Sequence, residues 1–244
     1  MTASSREELA TQMLELLKKK GALKIANSKN DFFKFKSGRM SPNFISIGAL
    51  TDAESLVELK KLYSALVKNL LDTNQLEDFD FVFGPAYKGI NLAALTCEGL
   101  YEYYGLNKRY LYDRKEIKEY GDKRDRMVVG AEYLKPGAKI LVVDDVITTG
   151  EAKLVAFNKL KGFDHKIVGI VIGIDRQELN GNAEKVDEKS AVQNLQDKFN
   201  VKTHSIINMT QLFSLIKKKL PQDINQAWVE YYEKYGAVKL SPKQ

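Results

Sequence analysis

With 244 residues, 44% of them hydrophobic, the chain is long enough to bury one large α/β core, or one core with small appendages. No apolar run approaches the roughly 20 residues that a bilayer crossing needs, and the polar stretch from Met1 to Glu8 lacks the apolar centre of a signal peptide, so a cytoplasmic location is expected. The net charge of +6 admits nucleic acid or an anionic small substrate, and the single cysteine, Cys97, excludes an internal disulfide framework.

Apolar residues at Leu9, Met13, Leu16 and Leu17 predict a helix from Glu7 to Lys20. Lys24 to Ile47 reads as short, extended and turn-rich, and Ala53 to Leu71 returns to helical spacing. A different rhythm follows. Phe79 to Phe83 is an apolar strand stopped by Gly84-Pro85, and a helix from about Gly89 to Tyr104 contains Cys97 as a packed thiol. Strands are predicted at Arg109–Tyr112, Lys139–Val143, Lys166–Ile174 and Val201–Ile207. Helices are predicted at Glu151–Leu160, Val192–Phe199, Thr210–Lys219 and Asp223–Tyr235. Continuous apolar strands alternating with helices predict an α/β fold with a parallel sheet covered on both faces. The chain divides into an N-terminal helix and hood over about 1–50, a core sheet over about 79–208 and C-terminal helices over about 210–240, one domain spanning 1–244. The aromatics Trp228, Tyr231 and Tyr232 are expected to pack in the core. The lysine clusters at Lys18–Lys20 and Lys217–Lys219 close helices, where cations complement the helix dipole. His165 and His204 have no Cys or His partner at ligand spacing, which argues against structural zinc.

In such sheets ligands sit beyond the carboxyl ends of the strands. There the sequence places Gly84 to Gly89, Asp113-Arg114-Lys115, Asp144-Asp145 and Asp175-Arg176. After Asp144-Asp145 come Val146-Ile147-Thr148-Thr149-Gly150, whose hydroxyls and free N–H groups at a helix start suit a phosphate. Adjacent carboxylates suit vicinal hydroxyls or a hydrated cation. Acidic caps on an ordinary helix N-terminus give the same pattern, and these residues alone leave both open.

The run Val142 to Ala152 resembles the signature of type I phosphoribosyltransferases, which bind 5-phosphoribosyl 1-diphosphate. Lys36 to Pro42, Phe83 to Gly89, Arg114 to Lys118 and Asp175 to Glu178 narrow the resemblance to orotate phosphoribosyltransferase. That family implies the type I phosphoribosyltransferase fold: a parallel twisted sheet flanked by helices, a small N-terminal hood and C-terminal helices. It implies a glycosyltransferase reaction with Mg²⁺, giving orotidine 5′-phosphate and diphosphate in de novo UMP synthesis.

The resemblance also assigns roles. Thr148, Thr149, Gly150, Glu151 and Ala152, entered through Val146 and Ile147, would hold the 5′-phosphate. Asp144 and Asp145 would meet the ribose hydroxyls, with Mg²⁺ arriving on the diphosphate and through water rather than on direct protein ligands. Tyr87 and Lys88 would bind diphosphate in a turn that can hold a strained peptide, and Lys36 would reach both substrates. Phe44, Ile45, Thr148 and Arg176 would face orotate, Arg176 meeting its carboxylate. Residues 113–130 would form a mobile lid that supplies Lys118 to the leaving diphosphate. In the homodimers of this family the lid serves the neighbouring subunit, so Arg114, Lys115, Lys118 and Tyr120 would complete its site. Tyr120 stands where the family carries histidine, and the lid is about two residues longer. Other bases, or a non-catalytic sensor of the diphosphate, are the alternatives. Lys36 and Arg176 favour an acidic base, and Lys118 with its lid favours catalysis. No nucleic-acid or membrane partner is expected.

Overall fold

A computed structural model of the protein describes residues 4–114, 127–147 and 157–241. Helix α1 (Arg6–Lys19) starts where Ser5 and Glu8 cap one another: the Ser5 hydroxyl accepts the Glu8 N–H at 3.2 Å and the Glu8 carboxylate accepts that of Ser5 at 2.8 Å. The hood is built from short antiparallel pairs. Strand β1 (Leu23–Ile25) pairs with β4 (Asn43–Ile45), and β2 (Phe33–Lys34) with β3 (Met40–Ser41). Helix α2 (Ala53–Asp72) is capped by Asp52. Lys19 and Lys20 pair with Glu54, and Lys20 also with Asp52, so this lysine cluster ties α1 to α2 as well as closing α1.

The central sheet has six strands in the order β12-β9-β8-β5-β6-β7. They are β5 (Phe81–Gly84), β6 (Arg109–Asp113), β7 (Val128–Val129), β8 (Ala138–Val146), β9 (His165–Asp175) and β12 (Thr203–Asn208). All neighbours are parallel except β6 and β7. Helix α3 (Lys88–Tyr104) follows β5, and a helical segment at 157–160, α4, precedes β9. The hairpin of β10 (Leu179–Gly181) and β11 (Val186–Ser190) leads into α5 (Ala191–Phe199). Helices α6 (Met209–Ile216) and α7 (Gln222–Tyr235) end the chain, with Trp228 stacked on Phe213 at 5.4 Å between centroids.

One apolar cluster joins α1, α2, α3, α6 and α7 to one sheet face, and a second packs Phe157, Leu160 and Leu195 on the other. The parallel sheet covered on both faces is as expected. Three details differ from the sequence reading. No strand was expected between Asp175 and Val192, yet the β10–β11 hairpin lies there. Its second strand, Val186-Asp187-Glu188-Lys189-Ser190, is polar and solvent-facing, so apolar periodicity gives no sign of it. Val128–Val129, read as lid, is a strand on β6. Lys217 to Lys219 form a separate 3₁₀ turn in which Lys217 is buried rather than displayed at a helix end.

The order in which strands are added reverses between the parallel neighbours β5 and β8: β6 and β7 extend to one side, β9 and β12 to the other. The crevice beyond their carboxyl ends is the switch point of the fold. Two glycines let the backbone close up there. A Cβ on Gly84 would come within 2.2 Å of the Gly89 carbonyl oxygen, and one on Gly89 within 2.9 Å of the Val143 oxygen.

Candidate active site

The end of β8 carries Asp144 and Asp145, only 3% and 6% exposed. Burying two carboxylates is costly unless each is bonded. The Asp144 carboxylate accepts the Asp145 N–H at 2.8 Å, and the Asp145 carboxylate takes the Lys88 ammonium at 2.7 Å. Beneath them the Tyr63 hydroxyl donates to the Asp144 carbonyl at 2.9 Å. Burial first, and the two aspartates next, push the Tyr63 phenol well above its usual range, so it stays a donor. The ion pair joins β8 to the start of α3, where the Ala86–Tyr87 peptide is cis and Tyr87 points outward, 67% exposed.

A second acidic group supports this turn. Asp113, at the end of β6, accepts the Ala86 N–H at 2.6 Å and the Lys159 ammonium at 2.5 Å. Lys159 also donates to the Arg114 carbonyl at 2.7 Å, and the Arg114 N–H donates to the Met127 carbonyl at 2.8 Å. The residues flanking 115–126 are thereby fastened together and to α4. Sequence reading noticed Asp113 at the rim but missed Lys159, which sits 46 positions away on an amphipathic segment.

Across the rim, Arg176 follows β9. Its guanidinium meets the Glu178 carboxylate at 2.6 and 3.1 Å and lies over the Phe35 ring at 4.2 Å. Burial opposes its charge, but the Glu178 carboxylate and nearby tyrosines outweigh burial and raise its pKa. Burial also raises the pKa of Asp175, whose carboxylate accepts the Gln177 N–H at 2.8 Å. A cavity of about 480 Å³ lies here, lined by Lys36, Ile147, Arg176, Glu178 and Phe35 among others. Part of its lining is organised by Arg39, 3% exposed, which donates to the carbonyls of Leu179, Asn180 and Asn182 at 2.8, 3.0 and 3.3 Å.

The structure therefore brings Lys88 to Asp145, and Lys36 to Arg176 and Ile147. Phe44 stands one ring removed: it contacts Phe35 at 6.3 Å between centroids and is 39% exposed. Ile45 pairs with Leu23 in the hood, and Val146 with Ile174 in the sheet. Neither Phe44 nor Ile45 lines the cavity. Lys115, Lys118, Tyr120, Thr148, Thr149, Gly150, Glu151 and Ala152 lie outside the described residues, as does most of the helix expected at Glu151–Leu160. Arg39 and Glu178 entered the sequence reading only inside longer motifs and Phe35 not at all, and a charged or aromatic residue beside Lys36 or Arg176 was the available signal. Among the described residues, no three His, Cys, Asp or Glu gather as a metal cage. Cys97 is half-buried on α3, its thiol pushed up to about 12 by burial, which makes it a poor nucleophile.

This switch-point site on a mainly parallel sheet has the architecture of a phosphoribosyltransferase, and residues 52–205 match the phosphoribosyl transferase domain family. Orotate phosphoribosyltransferase of Bifidobacterium longum is 36% identical over 241 residues, 95% of this chain and 99% of the relative. That of Schizosaccharomyces pombe is 36% identical over 224 residues, 92% of this chain and 98% of the relative. A crystal structure of the Francisella tularensis enzyme superposes with a TM-score of 0.75 at 30% identity, covering 91% of this chain and 98% of that one. The chain belongs to the orotate phosphoribosyltransferase family, and with it to the glycosyltransferases.

Proposed function

We propose that the enzyme transfers the 5-phosphoribosyl group of 5-phosphoribosyl 1-diphosphate to orotate, forming orotidine 5′-phosphate and diphosphate in pyrimidine synthesis. The observation that carries the choice of base is the shared cavity of Lys36 and Arg176. Two cations lining one cavity suit a planar acid, whose carboxylate can share the Arg176 guanidinium with Glu178. Phe35, with Phe44 behind it, offers the apolar face for the ring.

The reaction makes C1 of the ribose electron-deficient as diphosphate departs, so the protein's task is to position the partners and stabilise charge. Asp144 and Asp145 receive the ribose hydroxyls. Lys88 turns from Asp145 to the diphosphate, with Tyr87 and Arg114 beside it. From the sequence, Thr148 to Ala152 hold the 5′-phosphate, Thr148 also reaches orotate, and Lys115, Lys118 and Tyr120 close over the leaving group. Mg²⁺ fits this site only indirectly, because the buried carboxylates of Asp144 and Asp145 are taken by the ribose hydroxyls; both would hold the ion through water while the diphosphate supplies its oxygens. Bound there, it neutralises diphosphate charge. We further read residues 1–244 as one transferase unit, a homodimer whose lids serve neighbouring sites. We place it in the cytoplasm, in keeping with its biosynthetic relatives.

Incubation with 5-phosphoribosyl 1-diphosphate, Mg²⁺ and orotate, uracil, adenine or hypoxanthine tests the reading. Diphosphate release with orotate, at least about 100-fold faster than with the others, is expected, because buried polar groups left unpaired discriminate strongly. Equal release with uracil refutes the choice of base.

A further inference from the structure

The loop that presents Arg176 is held by the C-terminal part of the chain. The Tyr232 hydroxyl, fully buried on α7, donates to the Arg176 carbonyl at 2.7 Å. Just beyond α7, the Ala237 N–H donates to the Gln177 carbonyl at 2.8 Å, and Gly236 bridges to Glu178 in antiparallel fashion. Gln177 itself adopts φ +49°, a left-handed conformation that a non-glycine residue keeps only when its surroundings over-determine it. Its side-chain oxygen accepts both the N–H and the hydroxyl of Thr210 on α6, at 2.9 and 2.8 Å.

Helix α7 also supports the Arg39 side of the cavity. The Tyr235 ring lies under the Arg39 guanidinium at 4.6 Å, and its hydroxyl donates to the Ala183 carbonyl at 3.3 Å in the β10–β11 turn. Arg39 in turn approaches the second Glu178 oxygen at 3.6 Å. Glu178 thus stands between Arg39 and Arg176, with its own backbone bridged to Gly236. Helix α7 does more than fill the core. It touches the Arg176 loop through its backbone and the facing hood through Arg39.

We propose that the C-terminal helix is part of the base-recognition apparatus, with Tyr232 as a positioning residue that fixes Arg176 for the carboxylate of the acidic base. This rests on the reading of Arg176 as the carboxylate-binding group. Tyr232 touches no substrate. Its hydroxyl sets the height of the Arg176 backbone, while Glu178 and Phe35 set the direction of the side chain. Loss of the hydroxyl leaves a buried carbonyl without its donor, and the loop relieves this by moving. A guanidinium displaced by a fraction of an ångström forms a poorer fork with a planar carboxylate.

Steady-state kinetics of Tyr232→Phe, Arg176→Gln and the double variant test this, with orotate and 5-phosphoribosyl 1-diphosphate varied separately. In Tyr232→Phe the KM for orotate should rise at least about fivefold, equivalent to about 1 kcal/mol, while the KM for the diphosphate substrate changes by less than about twofold. Because Tyr232 acts through Arg176, the double variant should show no further rise in orotate KM over Arg176→Gln alone. Gln177→Ala loosens the same loop from α6 and should shift orotate KM in the same direction, which keeps the test open if Tyr232→Phe folds poorly. Unchanged orotate KM in Tyr232→Phe beside a raised value in Arg176→Gln overturns the positioning role alone. Full additivity in the double variant overturns it too, since a general loss of packing would add. An Arg176→Gln enzyme with unaltered orotate KM overturns the assignment of Arg176, and the inference with it.

Discussion

Asp145 and Lys88 form an ion pair at the centre of the rim, and their exposures differ: the carboxylate side chain is 8% exposed, the ammonium 59%. The anion is fixed in the sheet, whereas the cation reaches it on a flexible stem from the mouth of the site. Such a pair is poised for exchange. Substrate hydroxyls can take the carboxylate while substrate phosphate takes the ammonium, and neither charge is left bare. Asp145→Asn keeps the shape but removes the anion that both roles need. We expect kcat/KM for 5-phosphoribosyl 1-diphosphate to fall at least tenfold, about 1.4 kcal/mol of transition-state stabilisation, in assays at saturating orotate. A value within twofold of the parent would exclude Asp145 from the ribose site. The adjacent carboxylates were readable from the sequence because they interrupt a buried apolar strand. Lys88 was readable as a rim residue, but its pairing was not, since the two lie 57 positions apart.

Among the elements, β5, β8 and β9 were readable because each is a continuous apolar run, β-branched in β8 and β9, bounded by turns or charges. The hood pairs and the β10–β11 hairpin were not, because their strands are two to five residues long, too short for an alternating pattern to stand out, and β11 is largely polar. Tertiary contacts hold them instead: Arg39 on three carbonyls, and the Ala183 N–H on the Ser37 carbonyl at 3.1 Å. Asp113 and Lys159 couple elements in the same way, joining β6, the turn before α3 and α4, with side chains 4% and 15% exposed. Removing one partner of a buried pair leaves an uncompensated charge, which costs about 3–5 kcal/mol. Lys159→Met should therefore lower the urea midpoint markedly with an unchanged m-value. Asp113→Asn with Lys159→Met, which removes both charges and keeps an acceptor for the Ala86 N–H, should recover most of that loss. If the double variant is as unstable as the single one, the charge pairing is not what joins these elements.

Across the whole molecule, the site occupies the carboxyl end of the sheet, while the edge strand β12 (Thr203–Asn208) packs against α1 and carries His204 near its amino end. His204 lies in this seam. Burial first, then the positive charges of Arg6 and Lys202, lower its pKa from 6.5 to about 4. Arg6 is itself anchored, donating to the Ser205 carbonyl at 2.7 Å. A depressed histidine pKa means that between pH 6.5 and about 4 the unfolded chain binds a proton that the folded chain refuses. Stability then rises with pH across this window and is lost as pH falls through it. Glu77, held down to about 2 by hydrogen bonds from Lys139 and Lys166, titrates below the window in the folded chain and takes up its unfolded-state proton near 4.5, at the acid end. His204→Gln removes the titrating group from the upper half of the window. Urea unfolding at pH 7.0, 6.0 and 5.0 should show the parent losing stability faster than His204→Gln, by several tenths of a kcal/mol per pH unit. The one-proton limit is about 1.4 kcal/mol per unit, and the ring's remaining solvent contact keeps the effect below it. Parallel slopes for the two proteins would mean that His204 is protonated as readily in the folded chain as in the unfolded one, and that the α1–β12 seam admits water.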